Sequence, residues 1–241
     1  MVAGGSALVL AAEKIIDKGK LIAAQMLEVG AADIGFADGT FSVAGTDRSV
    51  TLKQVAMASF LPARLPKGVA PGLIESATYA PEKPTYPNGC HVCEVEIDPA
   101  IGAVQLVSYL VVDDVGTVIN PLTLAGQIHG GVAQGVGQIL MEQVAYEPSS
   151  GQLLTASFMD YAMPRADTMC SVAIKSNPVP TATNLLGVKG AGEAGTVGAL
   201  PATMIAILDA LAPLGVRELD MPATSDRIWH AIQAVRNEAA M

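Results

Sequence analysis

The 241-residue sequence is poor in aromatic residues, in cysteine and in positive charge. Phe, Trp and Tyr make up 4% of it, so the core has to be built from Ala, Val, Leu, Ile and Met. The 14 basic and 23 acidic side chains leave a net charge of −9. Because a nucleic-acid-binding surface is basic, this charge points to a function without nucleic acid.

The sequence also lacks a long uninterrupted apolar run and a basic leader. Pro201, Thr203 and Asp209 interrupt the most apolar segment before it reaches the roughly 18 residues that identify a membrane span. No basic residue precedes Lys14, which is atypical of a secretory signal. We therefore expect a cytoplasmic protein without a membrane span.

The cysteines are too few for a disulfide framework or a zinc site. Cys90 and Cys93 form a C-x-x-C motif, but alternation along the strand that they open directs them to opposite faces. A zinc site needs about four ligands at matched spacing. His91, His129 and His230 are too far apart in sequence to supply them. We expect no metal ligands among the side chains of this chain.

Apolar periodicity and turn residues predict an α+β fold. We expect a helix over residues 6–29 and then a hairpin whose turn is Asp38-Gly39. Thr51 and Gln54 have the spacing of a capping box, which predicts a short helix directly after them.

Residues 61–89 are rich in Pro and Gly and form either a domain linker or a long ordered excursion. The second half is predicted to contain two hairpins, one strand and two helices: turns at 99–102 and 147–151, a strand at 170–176, and helices at 201–212 and 225–237. This mixture is typical of mixed, largely antiparallel sheets with packed helices. We divide it into an N-terminal α+β subdomain at 1–70 (helix, hairpin, short helix) and a C-terminal region at 71–241.

Residues 120–143 repeat apolar residues at helical spacing, yet they contain five glycines. Each glycine in a helix interior costs about 1 kcal/mol relative to Ala, so we expect something to approach this backbone closely. One small-residue face and one amide face are predicted: Gly126, Gly130, Ala133 and Gly137 on the first, and Gln127, Gln134 and Gln138 on the second. The alternative is a helix packed tightly on a neighbour, with its glutamines in solvent.

The segment KGAGEAG, residues 189–195, places a single acid, Glu193, among glycines and before an apolar helix. It lacks the Gly-Lys-Ser/Thr of a phosphate-binding loop, and an acid would repel a bound phosphate. A carboxylate on such a loop is the arrangement expected of a general base. The alternative is an acid that merely caps the following helix. Lys189 is expected to be a surface or capping lysine.

Three stretches, GQIHGGVAQGVGQ, GQLLTASFMDYAMP and GVKGAGEAGTVGALPA, closely resemble the C-terminal part of the large subunit of molybdenum hydroxylases. This is the xanthine dehydrogenase and aerobic carbon monoxide dehydrogenase family. The resemblance covers essentially the whole chain and is nearest the carbon monoxide dehydrogenase-like branch. It implies that residues 71–241 are a C-terminal molybdenum-cofactor-binding domain, that is, a molybdopterin-binding region carrying the Glu193 loop.

The resemblance also implies roles for five residues. Glu193 would be the active-site base beside molybdenum, taking the proton from the metal-bound hydroxyl group that attacks the substrate. Gly190, Ala191 and Gly192 would hold the loop against the cofactor. Gln127 would contact the pterin.

The same resemblance implies the cofactors and partners. Molybdenum–molybdopterin, in its cytosine dinucleotide form, would be bound only in the complete assembly. The partners would be the N-terminal part of the large subunit, a medium subunit with FAD and a small subunit with a [2Fe–2S] cluster, which needs four cysteines. We expect this chain to be an incomplete, by itself inactive, component of a molybdenum-dependent oxidoreductase that hydroxylates a small substrate. The alternative is a non-catalytic structural fragment that binds no cofactor.

Overall fold

A computed structural model describes residues 1–239, which form two compact units. Unit 1 comprises Met1–Lys83 with Asn184–Leu186, and unit 2 comprises Pro84–Thr183 with the chain from Gly187 onward. Each unit contains a three-stranded sheet and packed helices, so the α+β fold predicted from the sequence is confirmed.

Unit 1 is a helix packed on a small antiparallel sheet, followed by a short helix: α1 (Val2–Leu27), β1 (Ile34–Ala37), β2 (Thr40–Val43), β3 (Ser49–Thr51) and α2 (Leu52–Ala58). The predicted hairpin is confirmed, since Asp38 and Gly39 have φ of 46° and 73°, as Asp-Gly hairpin turns require. The capping box is also confirmed, because the side chains of Thr51 and Gln54 each accept a hydrogen bond from the other residue's backbone N–H.

Unit 2 contains a second sheet and three long helices: β4 (Asn88–Asp98), β5 (Ala103–Asp114), α3 (Pro121–Leu140), β6 (Val172–Ser176), α4 (Ala194–Leu211) and α5 (Ser225–Ala239). Strands β4 and β5 form the predicted hairpin. Strand β6 was predicted as a strand, and it pairs parallel to β5. The turn predicted at 147–151 forms, with an antiparallel bridge between Tyr146 and Leu153 and a 2.8 Å hydrogen bond from the Glu147 N–H to the Gln152 carbonyl, but the pairing is an isolated bridge rather than a pair of strands.

Helix α4 begins at Ala194 rather than at the predicted residue 201, so Pro201 lies inside the helix. A proline there removes one backbone hydrogen bond, to the carbonyl of Val197. The buried side of α4 starts with small residues and ends with large ones: Gly195, Ala199, Thr203, Ile207 and Leu211. The small residues mark the part of α4 that lies closest to α3.

Helices α3 and α4 approach each other so closely that only glycine fits at the contact. A Cβ atom added to Gly131 would lie 2.8 Å from the backbone nitrogen of Thr196. One added to Gly135 would lie 2.6 Å from the Cβ of Ala199, and one added to Gly195 would lie 2.6 Å from the carbonyl oxygen of Ile128. Gly131, Gly135 and Gly195 are therefore required by packing between these helices.

The contact with α4 does not use the first two residues of the predicted small-residue face of α3. A Cβ added to Gly126 or Gly130 would meet no heavy atom within 4 Å, among the residues that the structure describes. The contact with α4 uses Gly131 and Gly135 instead, because these lie on the side of the buried Val132. Gly126 and Gly130 leave open space along the exposed side of α3.

Within residues 1–239, one helical segment, Ala194–Leu214, is long and apolar enough to cross a membrane by length and composition alone. The core helix of a soluble protein meets the same criterion. Helix α4 has the contacts of such a core helix, since it packs against α3 and β4.

We expect Gly131→Ala to lower the free energy of unfolding by about 1–3 kcal/mol, because the new methyl group collides with the backbone of α4. The control is Gly130→Ala in the same helix turn, where space is open. It should be neutral or stabilise by up to about 1 kcal/mol, since Ala favours a helix over Gly. Urea unfolding of the two variants measures the difference, and equal free energies would contradict the packing described here.

Candidate functional site

Glu193 lies at the point where the glycine-rich loop becomes helix α4. It occupies the N-cap position with φ −113° and ψ 0°, and its carbonyl accepts a hydrogen bond of 3.0 Å from the N–H of Val197. Its exposed side chain makes no capping hydrogen bond to any residue that the structure describes. The carboxylate is thus held at a fixed point of the backbone and remains available to a ligand.

Gln127 connects the two glycine-rich motifs directly. Its side-chain Nε2 donates a 2.8 Å hydrogen bond to the backbone carbonyl of Gly192. About two turns further along α3, Thr196 Oγ1 donates to Gln134 Oε1 at 3.3 Å. Two of the predicted amide side chains therefore lie against the loop and the start of α4, and Gln127 fixes the residue directly before Glu193.

Lys189 was predicted to be a surface or capping lysine, and this prediction is wrong. It is one half of a largely buried ion pair. Its Nζ donates to Asp114 at the end of β5, and the two side chains are 12% and 13% exposed. Asp114 also accepts hydrogen bonds from the N–H groups of Gly116 at 2.8 Å and Val179 at 2.9 Å. The Lys189 hydrogen bond, helped by the two N–H groups, lowers the pKa of Asp114 to about 2.

The backbone ties the beginning of the loop to the same end of β5. The N–H of Lys189 donates to the carbonyl of Val115 at 2.8 Å, and the N–H of Thr117 donates to the carbonyl of Gly187 at 2.9 Å. Gly116 and Gly187 have positive φ, and a Cβ at Gly116 would lie 2.2 Å from the Gly187 oxygen. The loop is therefore anchored at its start by β5 and at its end by α3.

Between these anchors, Gly190 and Gly192 face open space. A Cβ added to either would meet no heavy atom within 4 Å, among the residues that the structure describes. Neither glycine has a positive φ. Packing and backbone strain therefore do not account for them, and their effect is to leave the loop backbone accessible on both sides of Ala191.

A cavity of about 600 Å³ opens beside Glu193. Its volume lies in the range of small-molecule sites in proteins. The loop and α4 form one wall, and the start of the β4–β5 hairpin forms the other: Gly190, Gly192, Glu193, Ala194, Val197 and Gly198 on the first side, and Thr85–Gly89, His91 and Asp113 on the second. The cavity thus brings a carboxylate, glycine backbone and a second titratable group together.

That second group is a buried cluster of Tyr109, His91 and Asp113, here called the His91 array. The Nδ1 atom of His91 lies 2.9 Å from the Tyr109 hydroxyl, and its Nε2 lies 3.6 Å from Oδ1 of Asp113. The His91 and Asp113 side chains are each 5% exposed. Burial lowers the pKa of His91 and raises the pKa of Asp113, and the attraction between the two groups partly opposes both shifts.

Sequence reasoning did not find the His91 array. It treated His91 only as a possible metal ligand, and it did not single out Asp113. The predicted hairpin places the two residues on paired strands, but its register counted from the turn does not bring them to the same face. Among residues 1–239, no group of three or more His, Cys, Asp or Glu side chains could hold a metal ion. The site offers a ligand a carboxylate, an amide and accessible backbone.

A family model described as a molybdopterin cofactor-binding domain matches residues 1–170. The chain is 38% identical over 236 residues to the nicotine 6-hydroxylase large subunit of Paenarthrobacter nicotinovorans, covering 97% of this chain and 29% of that protein. It is 36% identical over 230 residues to the carbon monoxide dehydrogenase large chain of Hydrogenophaga pseudoflava, covering 95% and 28%.

The fold agrees with this similarity. A crystal structure of Cu,Mo-CO dehydrogenase superposes with a TM-score of 0.90 and 33% sequence identity, covering 97% of this chain and 29% of that chain. The chain therefore spans less than a third of the length of the relatives that it matches.

We expect Lys189→Met to lower the free energy of unfolding by about 2 kcal/mol at neutral pH, because it leaves Asp114 without its cation. The pKa of Asp114 is depressed to about 2 in the folded chain, so its stabilisation is present above about pH 4 and is lost as the pH falls toward 2. Urea unfolding across this range should show a shallower pH dependence in the variant. Lys20→Met is the control, because the Lys20–Asp17 pair is more exposed.

We expect Gln127→Ala to increase the motion of the loop, because it removes the donor to the Gly192 carbonyl. The ¹⁵N order parameters of Gly190 and Gly192 should fall toward about 0.6, the value typical of flexible backbone. Gln138→Ala, an exposed glutamine on the same helix, is the control. Equal order parameters in the two variants would show that Gln127 does not hold the loop.

Proposed function

We infer that this chain, which belongs to the family of molybdopterin cofactor-binding domains, contributes the active-site base and part of the molybdopterin site to a molybdenum hydroxylase like carbon monoxide dehydrogenase. One observation carries this proposal. The Gln127–Gly192 hydrogen bond joins α3 to the loop. It fixes Glu193, whose exposed side chain makes no capping hydrogen bond, at the edge of a cavity. A general base needs such a positioned carboxylate with room for the reacting groups.

The surface around Glu193 fits a bound cofactor. Two glycine pairs, Gly190 with Gly192 and Gly126 with Gly130, leave open space beside the loop and along α3, so a large ligand can approach both backbones. We propose that Gln127 and the backbone of Gly190, Ala191 and Gly192 hold the cofactor in its cytosine dinucleotide form.

The bound molybdenum cofactor would supply the redox chemistry by taking up the electron pair that the substrate loses. The part of this chain is proton transfer. The Glu193 carboxylate accepts a proton as the new carbon–oxygen bond of the product forms. Its two anchors, Gln127 on one side and the Lys189–Asp114 pair on the other, keep the acceptor atoms in place during this step.

Exposed apolar side chains support a role within a larger assembly. Six of them lie in the irregular segment between α3 and β6: Val144, Tyr146, Leu154, Phe158, Met159 and Met163. Exposed apolar side chains are a feature of protein interfaces. We propose that the N-terminal part of the large subunit covers this segment. A medium subunit with FAD and a small subunit with a [2Fe–2S] cluster would complete a cytoplasmic oligomer that oxidises a small substrate.

In the assembled enzyme, we expect Glu193→Gln to lower kcat by about 10²- to 10⁴-fold, because the amide cannot accept the proton. Molybdenum and pterin contents should remain at the level of the unmodified enzyme, since Gln keeps the size of the side chain. Glu94→Gln, an exposed acid on β4, is the matched control and should retain full turnover. Unchanged kcat in Glu193→Gln would remove Glu193 from the mechanism.

The isolated chain is expected to reduce no electron-accepting dye, because the proposed site is completed by the partner chains. Robust dye reduction by the purified chain alone would contradict this expectation. An active assembly that retains its turnover without this chain would instead support the alternative of a structural fragment that takes no part in catalysis.

A further inference from the structure

The imidazole ring of His91 fills the space beside Gly198 in the second turn of α4. A Cβ atom added to Gly198 would lie 2.5–2.6 Å from three ring atoms of His91, namely Nε2, Cδ2 and Cε1. Helix α4 starts directly after Glu193, and the Glu193 carbonyl accepts the Val197 N–H. The ring therefore packs one residue beyond the hydrogen bond that holds the backbone of Glu193.

The ring is held in place, because Nδ1 is hydrogen-bonded and Nε2 faces a buried carboxylate. Tyr109, which is 1% exposed, lies 2.9 Å from Nδ1, and Asp113 lies 3.6 Å from Nε2. A proton on Nε2 places a donor toward the Asp113 carboxylate, 3.6 Å away, and leaves Nδ1 as an acceptor. The Tyr109 hydroxyl then donates to Nδ1. This assignment gives every member of the array one role, with a neutral imidazole at its centre.

Asp113 is packed against a glycine in the same way, on the strand that carries His91. A Cβ atom added to Gly89, on β4, would lie 2.0 Å from Oδ1 of Asp113. Both Gly89 and Gly198 therefore leave room for the His91 array, one on each side of it. Burial supports the neutral form, since it lowers the pKa of His91.

We propose that His91 is a positioning residue for Glu193: held by Tyr109 and Asp113 as its Nε2–H tautomer, its ring fits against Gly198 and fixes the first two turns of α4, on which Glu193 stands. This inference rests on the proposed function only where it treats Glu193 as a catalytic base. The contact between His91 and α4 is a property of this chain and is testable without cofactor or partners.

The test uses Gly198→Ala. A fixed His91 ring and a freely moving ring predict opposite changes in the stability of the start of α4. Alanine is the better helix former, so a ring without a positioning role would move aside and the substitution would strengthen the start of α4. If the array holds the ring, the new methyl group instead pushes α4 away. We expect amide hydrogen exchange at Val197 to accelerate by about tenfold, the scale of a local opening. The Ile228 amide of α5, which bonds the Thr224 carbonyl, should be unchanged and reports on global unfolding.

The double variant completes the measurement. In a His91→Ala background the ring is gone, so Gly198→Ala should slow exchange at Val197 or leave it unchanged. His230→Ala, an exposed histidine on α5, is the control background, in which the acceleration should persist. An acceleration of equal size in the His91→Ala and His230→Ala backgrounds would overturn the proposal, as would slower exchange in Gly198→Ala alone.

The protonation of His91 gives an independent readout. Long-range ¹H–¹⁵N spectra of the unmodified chain should show a protonated Nε2 and an unprotonated Nδ1, and this neutral form should persist below pH 6.5, the ordinary pKa of His. A proton on Nδ1 would overturn the assignment. Tyr109→Phe should shift the Nδ1 resonance and accelerate Val197 exchange. The free energy of unfolding should fall by no more than the loss of one hydrogen bond, about 0.5–1.5 kcal/mol.

The two proposals fail separately. If Glu193→Gln retains turnover in the assembled enzyme while Val197 exchange responds as expected, the proposed base is wrong and the positioning of α4 by His91 stands. If Glu193→Gln abolishes turnover while the exchange data show no coupling between positions 91 and 198, His91 has no positioning role. In the assembled enzyme, a true positioning role predicts that Gly198→Ala lowers kcat with little change in KM.

Discussion

The close contact between α3 and α4 is the constraint on which the rest of unit 2 depends. It exists because Gly131, Gly135 and Gly195 carry no side chain where the two backbones meet. This contact brings Gln127 within hydrogen-bonding distance of the Gly192 carbonyl. The cost of glycine in two helices is thus offset by an approach that places an exposed carboxylate beside a cavity.

Contacts within unit 2 hold the loop at two points and leave it exposed. Lys189 is bound to Asp114 by a largely buried ion pair, and Gly192 is bound to α3 through Gln127. Gly190, which lies between these points, and Gly192 itself are exposed and uncrowded. A loop that is fixed at both ends and bare in the middle has the properties required for close contact with a rigid cofactor and for catalysis that depends on position.

Much of the fold could be predicted from local patterns. The Asp38-Gly39 hairpin, the capping box at Thr51 and the β4–β5 hairpin each depend on a short stretch of sequence whose turn or cap chemistry has few alternatives. The juxtaposition of Gln127 with the Glu193 loop could not be derived in this way. It depends on packing between two helices, which brings together Gln127 and Gly192, 65 residues apart in sequence. The resemblance to molybdenum hydroxylases identified both residues without giving the hydrogen bond.

The His91 array was out of reach for a physical reason. Counted back from the hairpin turn, the register would pair His91 with Leu110 and put Asp113 on the other face of the sheet. A bulge at Glu94/Val95 shifts the pairing by one residue and brings the two side chains to the same face.

The most direct test of the proposed site is anomalous diffraction at the molybdenum edge from crystals of the assembled enzyme. We predict a single molybdenum peak in the cavity beside the Glu193 carboxylate, and a molybdenum peak elsewhere, with this cavity filled by protein, would contradict it.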